Sequence, residues 1–409
     1  MKLLGITRNV IVLGWVSFLT DVASEMLYPV MPLFLVGSLG ASPAVLGLID
    51  GLAEGVSSGL RWLGGALSDR YRRRKPFVVA GYAVSAVSKP VMGLAAYALG
   101  WPLFLIGRCS DRLGKSIRTS ARDALIADST EAAYRGVAFG LHRTMDTCGA
   151  IIGPLVTVAV IALWPIAQNH LQWLFFVALL PGVASAFLCA AAVREVLPRD
   201  GKAEETGGKP PSMFQRFPGA FWHLLLANAI FSLGNSSDSF LILRSKEVGL
   251  SFTQVVLAFA VYNVVYAAAA TPVGKLSDVV GRKGVVTAGW VVYAGVYIGF
   301  ALVRSTAAPW WLLAAYGLYQ ALSEGVTKAM VSDVVAPQQR GGAIGLFYTV
   351  SGFGQLAASL IAGELWYTRV VHGRVMAAFV VGAACALMGA GVVATVRTRP
   401  ATDQTGAGE

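Results

Sequence analysis

A basic loop motif occurs twice in this chain, each time between two long apolar segments. Residues 65–74 read GALSDRYRRR, and residues 274–283, about 209 positions later, read GKLSDVVGRK. Residues 128–140 and 333–345 form a second pair of similar segments, about 205 positions apart. Because the two offsets nearly agree, the sequence indicates a chain built from two related halves.

The composition predicts that most of the surface faces hydrocarbon. The 409 residues are 56% hydrophobic and 13% charged, with a mean hydropathy of +0.63, whereas soluble domains are about 25% charged. The net charge of +11 does not indicate nucleic acid binding, because the basic residues gather in short segments beside apolar stretches. We therefore expect a lipid bilayer, and no nucleic acid, around this chain.

Twelve apolar segments reach the roughly 20 residues that a helix needs to cross a bilayer. These predicted spans, numbered 1 to 12, are 9–37, 44–67, 76–99, 102–126, 136–164, 171–193, 219–243, 252–274, 284–303, 310–334, 342–366 and 374–396. Residues 194–218 are polar and contain Gly and Pro without periodicity, which predicts a flexible linker. The predicted organisation is an N-terminal six-helix bundle (1–193), the linker (194–218), a C-terminal six-helix bundle (219–399) and a short tail (400–409).

The basic residues also predict the orientation in the membrane. They concentrate in the connections that follow spans 2, 4, 6, 8 and 10, whereas three of the six opposite connections carry none. Since basic loops remain in the cytoplasm, both termini, the linker and both copies of the loop motif are expected on the cytoplasmic side.

These features resemble the major facilitator superfamily over essentially the whole chain. Residues 65–74 are similar to that family's loop motif after its second helix, and residues 274–283 are similar to the motif's second copy. On span 5, Gly149, Gly153 and Pro154 resemble a motif associated with exporting antiporters of the family.

The resemblance implies an all-α integral membrane fold with two pseudo-symmetric six-helix bundles and a substrate site between them near the midplane. Spans 1, 4, 7 and 10 would line that site, and rocking of the bundles would expose it to each side in turn. Residues 21–29 look like a bacterial branch that includes nickel-resistance exporters, and Arg108 is similar to a residue of the drug/proton-antiporter branch. The implied protein is a monomeric secondary transporter of the bacterial inner membrane.

Charged residues inside spans 1 and 2 are candidates for proton coupling. Asp21, Glu25 and Tyr28 fall on one face of span 1, and Asp50 and Glu54 repeat the four-residue spacing on span 2. A charge at the centre of a membrane helix costs about 2.5–3.5 kcal/mol, so such residues normally face a partner or water. Neighbouring carboxylates can share a proton, as a proton carrier must. The alternative is that basic residues of span 4 neutralise these acids, which then only hold the bundle together.

Span 4 carries a basic stripe at helical spacing. Its members are Arg108, Arg112 with the adjacent Asp111, Lys115, Arg118 or Thr119, and Arg122. Arg112 and Lys115 lie too near the centre to reach the surface, so they must pair inward. They are expected to pair with the acids of span 1, and the alternative is that they bind an anionic group of the substrate.

Further candidates lie on spans 5, 7 and 10. His142 and Asp146, four residues apart on span 5, suit either proton transfer or hydrogen-bonded packing. Metal binding there is possible, but no residue spacing enforces it. In the second half Glu324 is expected to be neutralised by Lys328. The other expected solute contacts of that half are Asn235, Asp238 and Gln320.

The repeated loops predict a gate at the cytoplasmic side. Asp69 and Asp278 occupy the ends of spans, where they can meet the positive N-terminal dipole of a neighbouring helix. In the family, basic residues of these loops pair with an acid at the end of span 4 or 10. The duplication then predicts two pairs, Arg73 with Asp128 and Arg282 with Asp333. The alternative is that these charges only set the topology.

The function predicted from the sequence is proton-coupled export of a small molecule or drug-like solute. The alternatives are a nickel- or iron-type metal exporter, an uptake symporter, a membrane enzyme, and a membrane sensor or scaffold. An enzyme is not expected, because the only nucleophile-elbow string lies inside a helix and no nucleotide-binding loop is found. The four cysteines lie singly in apolar segments, so no disulfide, metal site or cofactor is predicted.

Overall fold

The protein's computed structural model describes residues 6–71, 73–131, 134–196, 217–336, 339–370 and 375–396. Most of the predicted linker (197–216) and the whole predicted tail lie outside the described residues. The described chain is helical apart from one pair of two-residue antiparallel strands, β1 (Arg369–Val370) and β2 (Val375–Met376).

The first half contains nine helices in its described part. They are α1 (Arg8–Glu25), α2 (Val30–Leu33), α3 (Pro43–Arg70), α4 (Lys75–Leu94), α5 (Trp101–Asp128), α6 (Arg135–Leu163), α7 (Ile166–Asn169), α8 (Gln172–Val177) and α9 (Leu179–Ala192). A π-helical turn, Phe34–Ser38, follows α2 directly.

The second half contains seven helices in its described part. They are α10 (Gly219–Ser232), α11 (Ser239–Glu247), α12 (Phe252–Val280), α13 (Arg282–Leu302), α14 (Ala308–Asp333), α15 (Arg340–Glu364) and α16 (Ala377–Thr395).

Two spans predicted as continuous helices are interrupted in the structure. Span 1 breaks between α1 and α2 because Pro29 has no backbone N–H to donate. The N–H of Val30 bonds to the carbonyl of Leu27, and the carbonyl of Met26 instead accepts a hydrogen bond of 2.5 Å from Thr157. The break thus occurs where a neighbouring helix supplies the missing donor.

Span 7 breaks between α10 and α11, so Asn235 and Asp238 lie in a turn and not within a continuous helix. Gly234 lies so close to α16 that a Cβ atom there would be 2.6 Å from the carbonyl oxygen of Gly382. Its own carbonyl accepts a hydrogen bond from Tyr293 at 2.8 Å. Residues 233–238 therefore cross the interior as a turn, which is tolerated because neighbouring side chains bond its backbone.

Eight helical stretches of the described chain are long and apolar enough to cross a membrane. Charged and polar side chains lower the hydropathy of α3, α5 and α14, and α10 has only 14 residues before its break. Of these helices, α3, α5 and α14 contribute polar side chains to the cavities described below.

The most extensive contacts between the halves are those of α3 with α15 and of α6 with α12, and α2 also contacts α11. Where α3 begins, a Cβ atom on Gly363 would lie 2.6 Å from the carbonyl oxygen of Pro43. Near the other end of the bundle, Gly140 of α6 and Gly274 of α12 have open space around them. The halves are therefore in close contact at one end and apart at the end that carries the basic loops, which we call the basic-loop end.

Candidate functional site

The interface between the halves contains two adjoining cavities, which share Tyr28, Asp238 and Gln320. The inner cavity has a volume of about 250 Å³, and the wide cavity has a volume of about 590 Å³. A third space of about 730 Å³ extends toward the basic-loop end and shares residues such as Arg143 and Glu324 with the wide cavity.

Asp50 joins the two halves on the wall of the inner cavity. Its carboxylate lies 3.4 Å from the guanidinium of Arg108 and accepts a hydrogen bond of 2.7 Å from the hydroxyl of Ser237. Arg108 also lies over the ring of Tyr28, 5.8 Å from its centroid. Asp50 is thus neutralised by a basic residue of span 4, as the alternative prediction from the sequence had it. Ser237 was not singled out from the sequence, although it belongs to a run of polar residues in an apolar span.

Three other charged residues of the inner cavity have no ion-pair partner among the described residues. Asp238 accepts a hydrogen bond of 2.6 Å from Tyr316. Glu54 receives one of 3.5 Å from Ser58. The guanidinium of Arg112 makes no hydrogen bond in the described chain, and its Nε atom is buried. Asn235 and Gln320 complete the polar wall.

Asp21 and Glu25 lie on the wall of the wide cavity, half-buried, on successive turns of α1. The glycine motif of α6 sets their position by close packing. A Cβ atom on Gly149 would lie 2.9 Å from the Cβ of Asp21, and one on Gly153 would lie 2.8 Å from the Cβ of Glu25. Pro154 follows directly and is buried within α6.

The expected ion pairs between span 1 and span 4 do not form. In the described chain no basic group lies within 4.0 Å of the carboxylates of Asp21 and Glu25. Likewise, no carboxylate of the described chain lies within 4.0 Å of the charged groups of Arg112 and Lys115. Lys115 is exposed to the wide cavity. The reason is packing: α1 has its closest contacts with α6 and α9, and few with α5.

Asp111 is not a residue of the cavity, contrary to the sequence prediction. It faces α4, where it accepts a 2.5 Å hydrogen bond from Ser85 and lies 3.5 Å from the ammonium of Lys89. Lys89 is 1% exposed. It was not identified from the sequence as a buried charge, although it is a single charged residue within the apolar span 3. The pair is a structural ion pair inside the first half.

The His142–Asp146 pair lies on α6, in the part of the helix nearer the basic-loop end. His142 Nδ1 is 3.6 Å from an oxygen of Asp146, and both residues line the third space. Asp146 also reaches the wide cavity. Among the described residues, no group of three or more His, Cys, Asp or Glu side chains is arranged to hold a metal ion.

Glu324 is bound across the two halves and not by Lys328, which corrects the sequence prediction. Tyr266 donates a hydrogen bond of 2.5 Å to Glu324 and accepts one of 2.6 Å from Arg143, which itself lies 3.7 Å from the carboxylate. Lys328 instead lies over the ring of Tyr348, 5.3 Å from its centroid. Both side chains line the wide cavity and the third space, but the carboxylate of Glu324 is bound by Tyr266 and Arg143, and the ammonium of Lys328 lies over Tyr348 of α15. We call Arg143, Tyr266 and Glu324 the cross-half triad.

The repeated loops form ion pairs within each half. Arg282 lies 2.8 Å from Asp333, the partner that the duplication predicted, and 3.4 Å from Asp278. In the first half Asp128 lies 3.5 Å from Arg74 and not from the predicted Arg73, whose side chain is exposed.

The first loop is also bound to Glu195, which follows α9. The backbone N–H groups of Arg74 and Lys75 donate to the carboxylate of Glu195 at 2.8 and 3.0 Å, which fixes the loop in this register. The side chain of Asp69 lies outside the described part of the structure.

A helical chain with a charged cavity between two halves has the architecture of a membrane transport protein. Comparison with known families agrees, because the model of the Major Facilitator Superfamily matches residues 13–243 and again 224–409. The chain belongs to the major facilitator superfamily, and it is a transporter and not an enzyme.

Individual relatives support the same assignment. An uncharacterized MFS-type transporter of Methanocaldococcus jannaschii is 38% identical over 371 residues, which cover 88% of this chain and 89% of that one. The multidrug resistance protein MdtH of Enterobacter sp. is 30% identical over 175 residues, 42% of this chain and 40% of its own length. Among solved structures, a D-xylose-proton symporter superposes with a TM-score of 0.76 at 17% identity, covering 95% of this chain and 97% of that one.

Proposed function

We propose that this chain is a proton-coupled transporter of small polar solutes, in which Asp21 and Glu25 carry the proton. The observation that supports this most directly is the lack of any ion pair to either carboxylate within the described chain, although both lie inside the membrane and face the wide cavity. A charged carboxylate at that depth costs about 2.5–3.5 kcal/mol. Binding a proton removes this cost, so each carboxylate is suited to load and release one.

The proposed cycle follows from the packing of the halves. Here the wide cavity continues toward the basic-loop end, where the halves are apart. Closure of that end, with separation at the Asp50–Ser237 contact and along α3 and α15, would expose the same carboxylates to the opposite side. A proton bound on one side would then be released on the other.

The topology and assembly belong to the same proposal. The basic-loop end is placed in the cytoplasm of a bacterial inner membrane, together with both termini. The halves are residues 1–193 and 219–399, joined by the linker 194–218, and one chain forms the complete pathway. The ion pairs of Arg74 with Asp128 and of Arg282 with Asp333 are proposed to brace the loops that close the cytoplasmic side.

Export is the proposed direction. Two observations support export. The glycine motif of α6 resembles that of exporting antiporters, and a relative that matches 42% of this chain is a multidrug resistance protein. The inner cavity is lined almost wholly by charged, hydroxyl and amide side chains. This favours a polar solute over an apolar drug.

Proton flux in proteoliposomes tests the proposal. The purified chain would be reconstituted with an internal pH-sensitive dye and challenged with nickel chloride, ethidium, citrate and L-amino acids, with either direction of the pH gradient. We expect solute-dependent proton movement, opposite in direction to the solute, that Asp21→Asn and Glu25→Gln abolish. Glu364→Gln removes an exposed acid at the end of α15 and serves as the control that retains flux. Full pH-driven transport by both cavity variants would exclude the assigned coupling, and movement of proton and solute together would indicate uptake.

A further inference from the structure

The inner cavity is lined by basic residues from the first half and by acids from both halves. Arg112 comes from α5 of the first half, and Asp238 comes from the break between α10 and α11 of the second half. The phenol of Tyr28, at the end of α1, lines the same space. An occupant of this cavity therefore meets a guanidinium on one wall and a carboxylate on the other.

The guanidinium of Arg112 has no partner among the described residues. Its neighbour Arg108 is neutralised by Asp50 at 3.4 Å. Arg112 has no carboxylate within 4.0 Å and no hydrogen-bond acceptor in the described chain, and its Nε is buried. A guanidinium has five N–H donors and matches a carboxylate in two parallel hydrogen bonds. Since a buried donor without an acceptor is costly, the geometry favours an occupant with an anionic group here.

The acids of the inner cavity, Asp238 and Glu54, disfavour an occupant that carries only negative charge. One oxygen of Asp238 accepts from Tyr316 at 2.6 Å, and no cation lies within 4.0 Å of this carboxylate in the described chain. Glu54 adds a second acid to the same cavity. A simple anion would be repelled by these acids, and a simple cation would be repelled by Arg112. A solute with both charges satisfies each wall.

We propose that the inner cavity binds a small zwitterion, with its carboxylate on Arg112 and its ammonium group on Asp238. The proposal rests on the proposed function in taking this zwitterion as the transported solute. The volume of about 250 Å³ lies below the roughly 300–1,000 Å³ of sites for drug-sized ligands, which limits the occupant to a small molecule. Because its two charges contact different halves, a bound zwitterion also draws the halves together.

Ligand-induced thermal stabilisation of the full chain in detergent tests the charge requirement without any ion gradient. The probes are glycine, L-leucine and L-phenylalanine, and for each its N-acetyl derivative (anionic) and its amide (cationic). We expect at least one amino acid to raise the unfolding temperature, and both of its blocked derivatives to bind at least roughly tenfold more weakly, since each loses one charge-assisted contact. Stabilisation by none of the three amino acids, or equal binding of a blocked derivative, would overturn the proposal.

Variants assign the two charges to their residues. Arg112→Gln and Asp238→Asn should each weaken binding of that amino acid by roughly tenfold or more. Arg304→Gln, in an exposed loop, should leave it unchanged. Unchanged affinity in either cavity variant would overturn the assignment, and the selectivity of the unmodified protein decides the matter if a variant does not fold. If zwitterions bind but no proton-coupled flux is found, only the proposed coupling by Asp21 and Glu25 is contradicted. If coupled flux is found but zwitterions do not bind, only this inference is contradicted.

Discussion

The charged residues inside the bundle fall into two groups according to their partners. Lys89 with Asp111 and Arg108 with Asp50 are paired within the first half, whereas Asp21, Glu25 and Arg112 face a cavity without a pair in the described chain. The first group can hold helices together, and the second group is available to protons and solute.

The Lys89–Asp111 pair gives a prediction at the residue scale. Lys89→Met should destabilise the protein by about 3–5 kcal/mol, because it leaves the carboxylate of Asp111 buried and uncompensated. The double change Lys89→Met/Asp111→Leu should recover most of that loss, since replacing both charges by apolar groups is often neutral. Thermal unfolding in detergent measures both effects, with Arg304→Met as the exposed control. A double variant as unstable as the single one would contradict the pairing.

The sequence could identify which charges lie inside the membrane but not which of them pair. The i, i+4 spacing favoured Glu324 with Lys328, yet Glu324 bonds to Tyr266 and Lys328 lies over Tyr348. The loop duplication correctly predicted the partner of Arg282, but it missed the partner of Asp128 by one position. Pairing depends on the rotation of each helix about its axis, which a pattern within one helix does not contain.

At the scale of elements, the interruptions of two helices matter most for the site. The break after α1 leaves Tyr28 at the inner cavity, and the break after α10 places Ser237 and Asp238 there. Pro29 and the run from Gly234 to Asp238 were visible in the sequence. Their effect was not, because each break is stabilised by a distant hydrogen bond, from Thr157 or from Tyr293.

The cross-half triad gives a prediction at the element scale. Tyr266→Phe and Glu324→Gln should each change the transport rate, because α6 of one half is bonded through Tyr266 to α14 of the other. Their effects should not add, since both changes remove the same contact, with a coupling of about 0.5–3 kcal/mol. The measurement is a double-mutant cycle on initial flux rates in proteoliposomes.

A matched tyrosine provides the comparison for that cycle. Tyr262 lies one turn before Tyr266 on α12 and lines the same cavity, but it makes no side-chain hydrogen bond in the described chain. Tyr262→Phe combined with Glu324→Gln should therefore be additive. Additivity in both cycles would show that the Tyr266–Glu324 bond has no part in the motion of the halves.

For the whole molecule, the sequence predicted the architecture well. The repeated motif and the twelve apolar segments indicated the all-α bundle of the major facilitator superfamily, which the family match confirms. The arrangement of the halves could not be predicted from the sequence, because the contact of α3 with α15 depends on backbone fit at glycines such as Gly47 and Gly363. That arrangement decides which charges share a cavity.

Thiol accessibility of the wide cavity tests the account most directly. In a variant that keeps only the buried Cys189 and carries Thr147→Cys on the cavity wall, a membrane-impermeant thiol reagent would be applied to each side of oriented vesicles. We predict labelling of position 147 from the basic-loop side, and labelling from the opposite side once a pH gradient drives turnover, while Cys189 stays unreacted. If the reagent labels position 147 from neither side under any condition, no aqueous passage exists between the halves.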